Sequence, residues 1–227
     1  MQQKLHKEIH RAEERGVAEH GWLHSRFSFS FADWYNPERM GFGALRVLND
    51  DIVEPDSGFG LHQHSNMEII TLVMEGAVTH SDSLGNRYEV PAGDVQVMSA
   101  GTGVVHAEEN RSADVPLKLF QIWIEPKEQN ITPRYEQVSF KETNIKNELE
   151  LLVAPLNSGH TLSINQDAYM YRGIFDEGAS VAYASKGEDR GVYIFVVEGS
   201  VQVLGDTLNA RDAMGISGTA KIDILSG

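Results

Sequence analysis

The chain has 227 residues, no cysteine, and 33 acidic against 19 basic residues, for a formal net charge of −14. That length suits one large domain or two small ones, and the charge repels phosphate backbones and anionic lipid, so direct nucleic-acid or membrane-surface binding is not expected. The absence of thiols excludes a disulfide framework and any cysteine-ligated metal, and fits a reducing cytoplasm. Residues 4–15 are largely charged and predict a short helix with His6 and His10 on one solvated face. No apolar signal core is seen near the start and no apolar run reaches about 18 residues, so the expected location is cytoplasmic.

After residue 26 the texture becomes strand-like. "RFSFSF" alternates, and "GALRVLND", "MEIITLVMEG", "RYEV", "DVQVMS", "LKLFQIWI", "LELLVA", "AYMYRGIF", "VYIFVVEGSVQVLG" and "AKIDIL" are rich in β-formers. The turn signals "PDSG", "DSLGN", "PAGD" and "NSGH" separate them at the short intervals of an all-β sandwich or barrel. The polar segment 125–148 predicts a linker over the surface. The chain also repeats itself. "TLVMEGAVTH" (71–80) resembles "IFVVEGSVQV" (194–203), each a strand, a glycine turn and a strand. Gly93-Asp94 before "VQVMSAG" parallels Arg211-Asp212 before "AMGISG". Two similar domains are expected, 1–130 and 131–227.

The chemistry concentrates in two stretches. In "LHQHSNMEII" (61–70) a strand would turn His62, His64 and Glu68 to one side. In "GTGVVHAEEN" (101–110) Glu108 follows His106 at the same two-residue interval. One strand histidine is more often packed than functional. Two inward-facing pairs on adjacent strands would assemble three imidazoles and a carboxylate, with a position open for water or substrate. The residues alone leave both Glu68 and Glu108 as candidates for that carboxylate. His80 is expected at the surface. Phe42, Phe59, Met67 and Met98 flank the motifs and are expected mainly in the core, with pocket lining as the alternative.

Residues 58–76, "GFGLHQHSNMEIITLVMEG", resemble the first motif of cupins, and 93–110, "GDVQVMSAGTGVVHAEEN", the second. Ser99 stands where a proline is usual, and four residues separate Gly101 from His106. Those departures, with "MSAGTGVVH" and H-x-E, resemble the pirin family, and the resemblance extends through 20–51 and 121–137 to bacterial pirin-like quercetinases. It implies two tandem cupin (double-stranded β-helix, jelly-roll) barrels, a bicupin with little helix. It also implies a metal held by His62, His64, His106 and Glu108, with Glu68 as a supporting carboxylate. The metal would be one divalent transition ion, iron first, with zinc, nickel, cobalt, manganese or copper as alternatives. The implied activity is quercetin 2,3-dioxygenation by a monomer. The flavonol's 3-hydroxyl binds the metal, Glu108 removes its proton, dioxygen adds, the heterocycle opens and carbon monoxide leaves. The same resemblance implies an alternative of another class, a non-catalytic regulatory or redox-sensing protein that binds a protein partner. Counting along the second half puts Ser185, Gly187, Ile224 and Ser226 where the first half has its ligands, so the C-terminal cupin is expected to lack metal ligands. The family has a further apolar strand beyond "AKIDILSG", so the second barrel is expected either to have an open edge or to belong to a longer chain.

Overall fold

The structure is a computed structural model, and it describes residues 4–227 apart from Asn144, Thr161 and Glu188. Its first strands are β1 (His6–His10), β2 (Gly16–Glu19), β3 (Leu23–Phe27), β4 (Leu45–Val53), β5 (Ser57–His64), β6 (Glu68–Glu75) and β7 (Ala77–Asp82). There follow β8 (Arg87–Pro91), β9 (Asp94–Ser99), β10 (Val104–Asn110), β11 (Leu117–Ile124), β12 (Arg134–Ser139), β13 (Leu149–Pro155) and β14 (Ser163–Ile164). The last are β15 (Met170–Gly173), β16 (Ser180–Ala184), β17 (Val192–Phe195), β18 (Ser200–Val203), β19 (Asp206–Asn209), β20 (Ala213–Ser217) and β21 (Lys221–Ser226). The all-β class expected from the alternating segments is what forms. Among the described residues no helix is long and apolar enough to cross a membrane.

The strands fall into two compact units. The larger comprises Gly16–Asn144 with Leu151–Met170; the smaller comprises the residues up to Arg15, Ile145–Glu150 and Tyr171–Gly227. In the larger unit a seven-stranded sheet, ordered β12-β9-β6-β11-β4-β3-β2, faces a four-stranded sheet, β5-β10-β7-β8. Between them Val73, Val78, Val90, Leu117 and Leu119 close one end as an apolar plug. Ile69, Met98 and Val104, with Met67 and Trp123, pack near the other. The outer face of the larger sheet is buried too, because Leu152, Val153, Leu162 and Ile164 cover Ile70, Val95 and Val97. That explains why "EIITLV" reads as a nearly unbroken apolar run: β6 is covered on both faces.

The smaller unit repeats this plan with different side chains. Its sheets run β1-β20-β17 and β16-β21-β18-β19, matching β12-β9-β6 and β5-β10-β7-β8 strand for strand. The sequence echo survives in the backbone. Gly76 and Gly199 turn at φ 74° and 72°, and Gly93 and Arg211 at 87° and 70°. Arg211 accepts this left-handed geometry, costly for a residue with a Cβ, and its N–H donates to the Val196 carbonyl.

Two expectations are corrected. Residues 4–15 are not a helix but β1 followed by a single 3₁₀ turn, Ala12–Glu14. A helix this short is marginal alone, whereas "HKEIH" alternates and pairs with β20 from His6↔Ser217 to His10↔Ala213. His10 is therefore buried, its Nδ1 2.9 Å from the Tyr193 hydroxyl. Within 125–148, residues 134–139 form β12 and pair along β9. "RYEQV" supplies the alternation, and the pairing protects what would be an open sheet edge.

Candidate metal centre

β5 and β10 run antiparallel, with His106 opposite His62 and Val104 opposite His64. A register shift between His106 and Glu108 places Glu108 opposite Phe59, a local bulge that re-aims side chains where the histidines cluster. The strands approach closely because Gly58 has no side chain; a Cβ there would lie 2.5 Å from the Glu108 carbonyl oxygen.

His62, His64 and His106 converge. Their ring centroids are 4.8 Å apart for His62–His64, 4.4 Å for His62–His106 and 4.9 Å for His64–His106. One ligand-capable nitrogen from each lies within 4.8 Å of the others. His62 Nδ1–H donates to the Gly60 carbonyl over 2.7 Å, which leaves Nε2 with a lone pair. His106 is 1% exposed, and neither of its ring nitrogens has a hydrogen-bond partner. An unsatisfied buried polar group costs about 1–3 kcal/mol, so His106 is where a cation is most needed. Burial, then the neighbouring His62, lowers His64 to about 4. Burial, then His62 and His64, lowers His106 to about 3. Both rings are thus neutral near pH 7, the state that ligation requires. The donor set fits a divalent transition ion.

Glu108 is fully enclosed. Its Oε1 accepts from the Gln96 amide at 2.5 Å and the Thr71 hydroxyl at 3.1 Å, and its Oε2 from the Gln121 amide at 2.6 Å. Burial pushes its carboxyl above the ordinary range, against the opposing pull of His80 and Thr71. Its ligand atom joins those of His106 and His80 in a second group within 4.8 Å. Both groups fall in the larger unit.

His80 is not at the surface as expected. It is wholly buried, with Nε2 2.8 Å from Asp82 Oδ2 and its ring 4.7 Å from that of Tyr135. Burial acts to raise Asp82, but hydrogen bonds from His80 and Asn86 outweigh it and hold the carboxyl below its ordinary value. The missed signal was H-x-D on a strand, which turns both groups the same way as H-x-H does.

Glu68 does not share a side with His62 and His64. It opens β6, in the other sheet, and accepts a 2.6 Å hydrogen bond from the Ser99 hydroxyl. Burial raises its carboxyl. It buttresses the outer face and belongs to neither ligand group. Met98 is core, and Phe59 packs edge-on to Trp22 at 5.2 Å. Met67 does line a cavity of about 300 Å³, with Phe31, Trp34, Tyr35, Arg46 and Trp123. Trp123 links that cavity to the histidines, its ring 4.9 Å from His64 and 5.3 Å from Phe31. The aromatic run "FADWY" is the sequence signal for this wall.

In the smaller unit, Ile224 packs with Val203, Met214, Ile216 and Ile222 in an apolar cluster.

Residues 8–124 match the Pirin family profile, and residues 151–227 match that of the quercetinase C-terminal cupin domain. A protein of Escherichia coli strain K12 named quercetin 2,3-dioxygenase is 46% identical over 208 residues, covering 92% of this chain and 88% of its own. A pirin-like protein of Caulobacter vibrioides is 44% identical over 210 residues, covering 92% and 90%. The crystal structure of the bacterial pirin YhhW from Escherichia coli in complex with nickel(II) superposes with a TM-score of 0.91 at 43% identity, covering 97% of this chain and 94% of that one. With more than half of its length matched by the Pirin profile, residues 151–227 by the other, and relatives this similar along nearly its whole length, the chain belongs to the pirin family.

Proposed function

We propose that this protein is a metal-dependent dioxygenase that opens the heterocycle of flavonols such as quercetin and releases carbon monoxide. The observation that carries the reading is His106, whose two buried, unpartnered nitrogens sit against His62, His64 and the Glu108 carboxylate. His62, His64, His106 and Glu108 would hold the ion; iron is the first expectation, and the nickel complex of YhhW supports a divalent metal. The ion would act as a Lewis acid toward the substrate hydroxyl and as the meeting point of substrate and dioxygen.

The protein's own residues supply the rest. Glu108 takes the proton of the flavonol 3-hydroxyl as general base. Gln96, Gln121 and Thr71 fix its orientation. The aromatic cavity offers flat walls for a planar substrate, in the size range of small-molecule sites. Arg46 donates one hydrogen bond to the Ser30 carbonyl at 2.9 Å and presents the remaining guanidinium donors to phenolic oxygens. The test is flavonol absorbance in air, with metal-free protein and with protein reloaded with iron, nickel, cobalt or manganese. Turnover with at least one metal, abolished in His62→Ala, is expected. Metal binding without turnover for any of the four would refute the dioxygenase reading.

A further inference from the structure

β7 places His80 and Asp82 on the inward side of the four-stranded sheet. Across β10, His80 is opposite Glu108 and Asp82 opposite His106. Asp82 is fixed from several sides. Its Oδ1 accepts from the backbone N–H groups of Leu84 and Asn86, and its Oδ2 from the Asn86 amide at 2.9 Å and from His80. A carboxylate can only accept, so the shared proton of a neutral His80 sits on Nε2. His80 Nδ1 then offers a lone pair. That atom is buried without a partner, as are both nitrogens of His106.

A neutral imidazole has one lone pair and one N–H. If the lone pair of His106 goes to the metal, its N–H needs an acceptor, and ligating histidines almost always have one. Glu108, the nearby carboxylate, already receives Thr71, Gln96 and Gln121, and in the reading above its fourth acceptor site goes to the metal. Among the described His, Cys, Asp and Glu side chains, His80 completes that group within 4.8 Å. We propose that His80 is a positioning residue: with the metal bound, its Nδ1 accepts the N–H of His106, a bond that neither ring makes in this structure, and so turns the opposite lone pair of His106 toward the metal, with Asp82 fixing the tautomer from behind. This inference rests on the metal-binding half of the reading above and not on its flavonol chemistry.

Tyr135 and Gln96 keep the arrangement in place. Tyr135 covers one face of His80, and its hydroxyl, which donates one proton, lies 3.1 Å from Gln96 Oε1 and 3.0 Å from Gln137 Oε1, while Gln96 orients Glu108. The first test uses the unaltered protein, labelled with ¹⁵N-histidine and loaded with zinc(II). Long-range proton–nitrogen correlation should show His80 protonated at Nε2 and not at Nδ1; the opposite tautomer overturns the proposal. The second measures zinc(II) and nickel(II) affinity by chelator competition for Asp82→Asn and His80→Asn. The amide that Asp82→Asn introduces can donate to His80 Nε2, reversing the tautomer of His80 and setting an N–H against His106, so affinity should fall about tenfold to a hundredfold. A purely structural role would lower the melting temperature and leave the affinity of the folded protein unchanged. Wild-type affinity in both variants overturns the proposal alone, whereas no metal binding by the wild type overturns it together with the metal centre.

Discussion

Gly58→Ala tests whether the closeness of β5 and β10 sets the ligand geometry. The new methyl would lie 2.5 Å from the Glu108 carbonyl oxygen and 2.5 Å from Glu109 Cα. Both obstacles are backbone, in a strand paired on both sides by β5 and β7. β10 therefore has little freedom, and β5 must give way. Comfortable carbon–oxygen contacts begin near about 3.3 Å, so relief needs a displacement of roughly 0.8 Å. Overpacking of this kind costs about 1–3 kcal/mol. The larger effect falls on the site, because β5 carries His62 and His64 while β10 carries His106, and a built site tolerates only about 0.5 Å of error. Metal affinity should fall at least tenfold, and turnover by about a hundredfold. The control is Gly60→Ala, in the same strand, where an added Cβ meets nothing within 4 Å. Chelator competition reads the affinity and thermal unfolding of the metal-free protein reads the stability. Wild-type affinity in Gly58→Ala, or equal damage from Gly60→Ala, would refute the reasoning.

Glu108→Gln keeps the shape but removes the proton acceptor and opposes its amide to those of Gln96 and Gln121; at saturating metal, flavonol turnover should fall at least about a hundredfold, and an unchanged rate would remove Glu108 from the chemistry. Arg46→Ala should raise KM for hydroxylated flavonols while leaving metal affinity alone, as read by steady-state kinetics beside a metal titration. Asp212, in the smaller unit, accepts from the Ala12 and Asn209 N–H groups and the Arg11 guanidinium. Burial acts to raise it, but these donors outweigh burial and hold it below its ordinary value. Its folded pKa lies below the unfolded one, so its stabilisation is complete above about pH 5 and is lost as pH falls through the unfolded and then the folded value. Urea midpoints measured against pH should show that acid loss in the wild type and a smaller one in Asp212→Asn.

The candidate residues were legible because they obey a local rule. His62 and His64, and likewise His106 and Glu108, lie two residues apart, and a strand turns such pairs to one side; the spacing alone still left Glu68 beside Glu108 as the carboxylate. Glu68 failed the same rule because the chain changes sheets before it. Asn66, at φ 49°, lies in the turn between β5 and β6, so the alternation of β5 does not carry across. His80 was illegible for a non-local reason. Its burial depends on β7 lying beside β10, with β12 supplying Tyr135 over its ring; the H-x-D spacing marks a side shared with Asp82 but not that burial. The strand at 6–10 escaped for a similar cause, since its partner β20 lies near the other end of the chain.

The repeat explains why the two units differ as sets of residues and not at single positions. Thr71 on β6 pairs with Gln96 on β9, and both hold the Glu108 carboxylate. The sequence echo aligns these residues with Ile194 and Met214, which pair in the same way between β17 and β20. The echo aligns His106 and Glu108 with Ile224 and Ser226. Where the carboxylate is gone, the groups that would hydrogen-bond to it are gone as well. A buried polar network stabilises only when all its members are satisfied, and Thr71 or Gln96 facing an isoleucine would carry a desolvation cost with no compensating bond. Ile224 and Met214 instead join one apolar cluster. The metal capacity we propose therefore belongs to the whole set, the histidines, the carboxylate and its supporting amides together. It follows that a histidine pair restored to the smaller unit without its Thr, Gln and Glu partners would bury unpaired nitrogens and weaken the fold before it bound an ion.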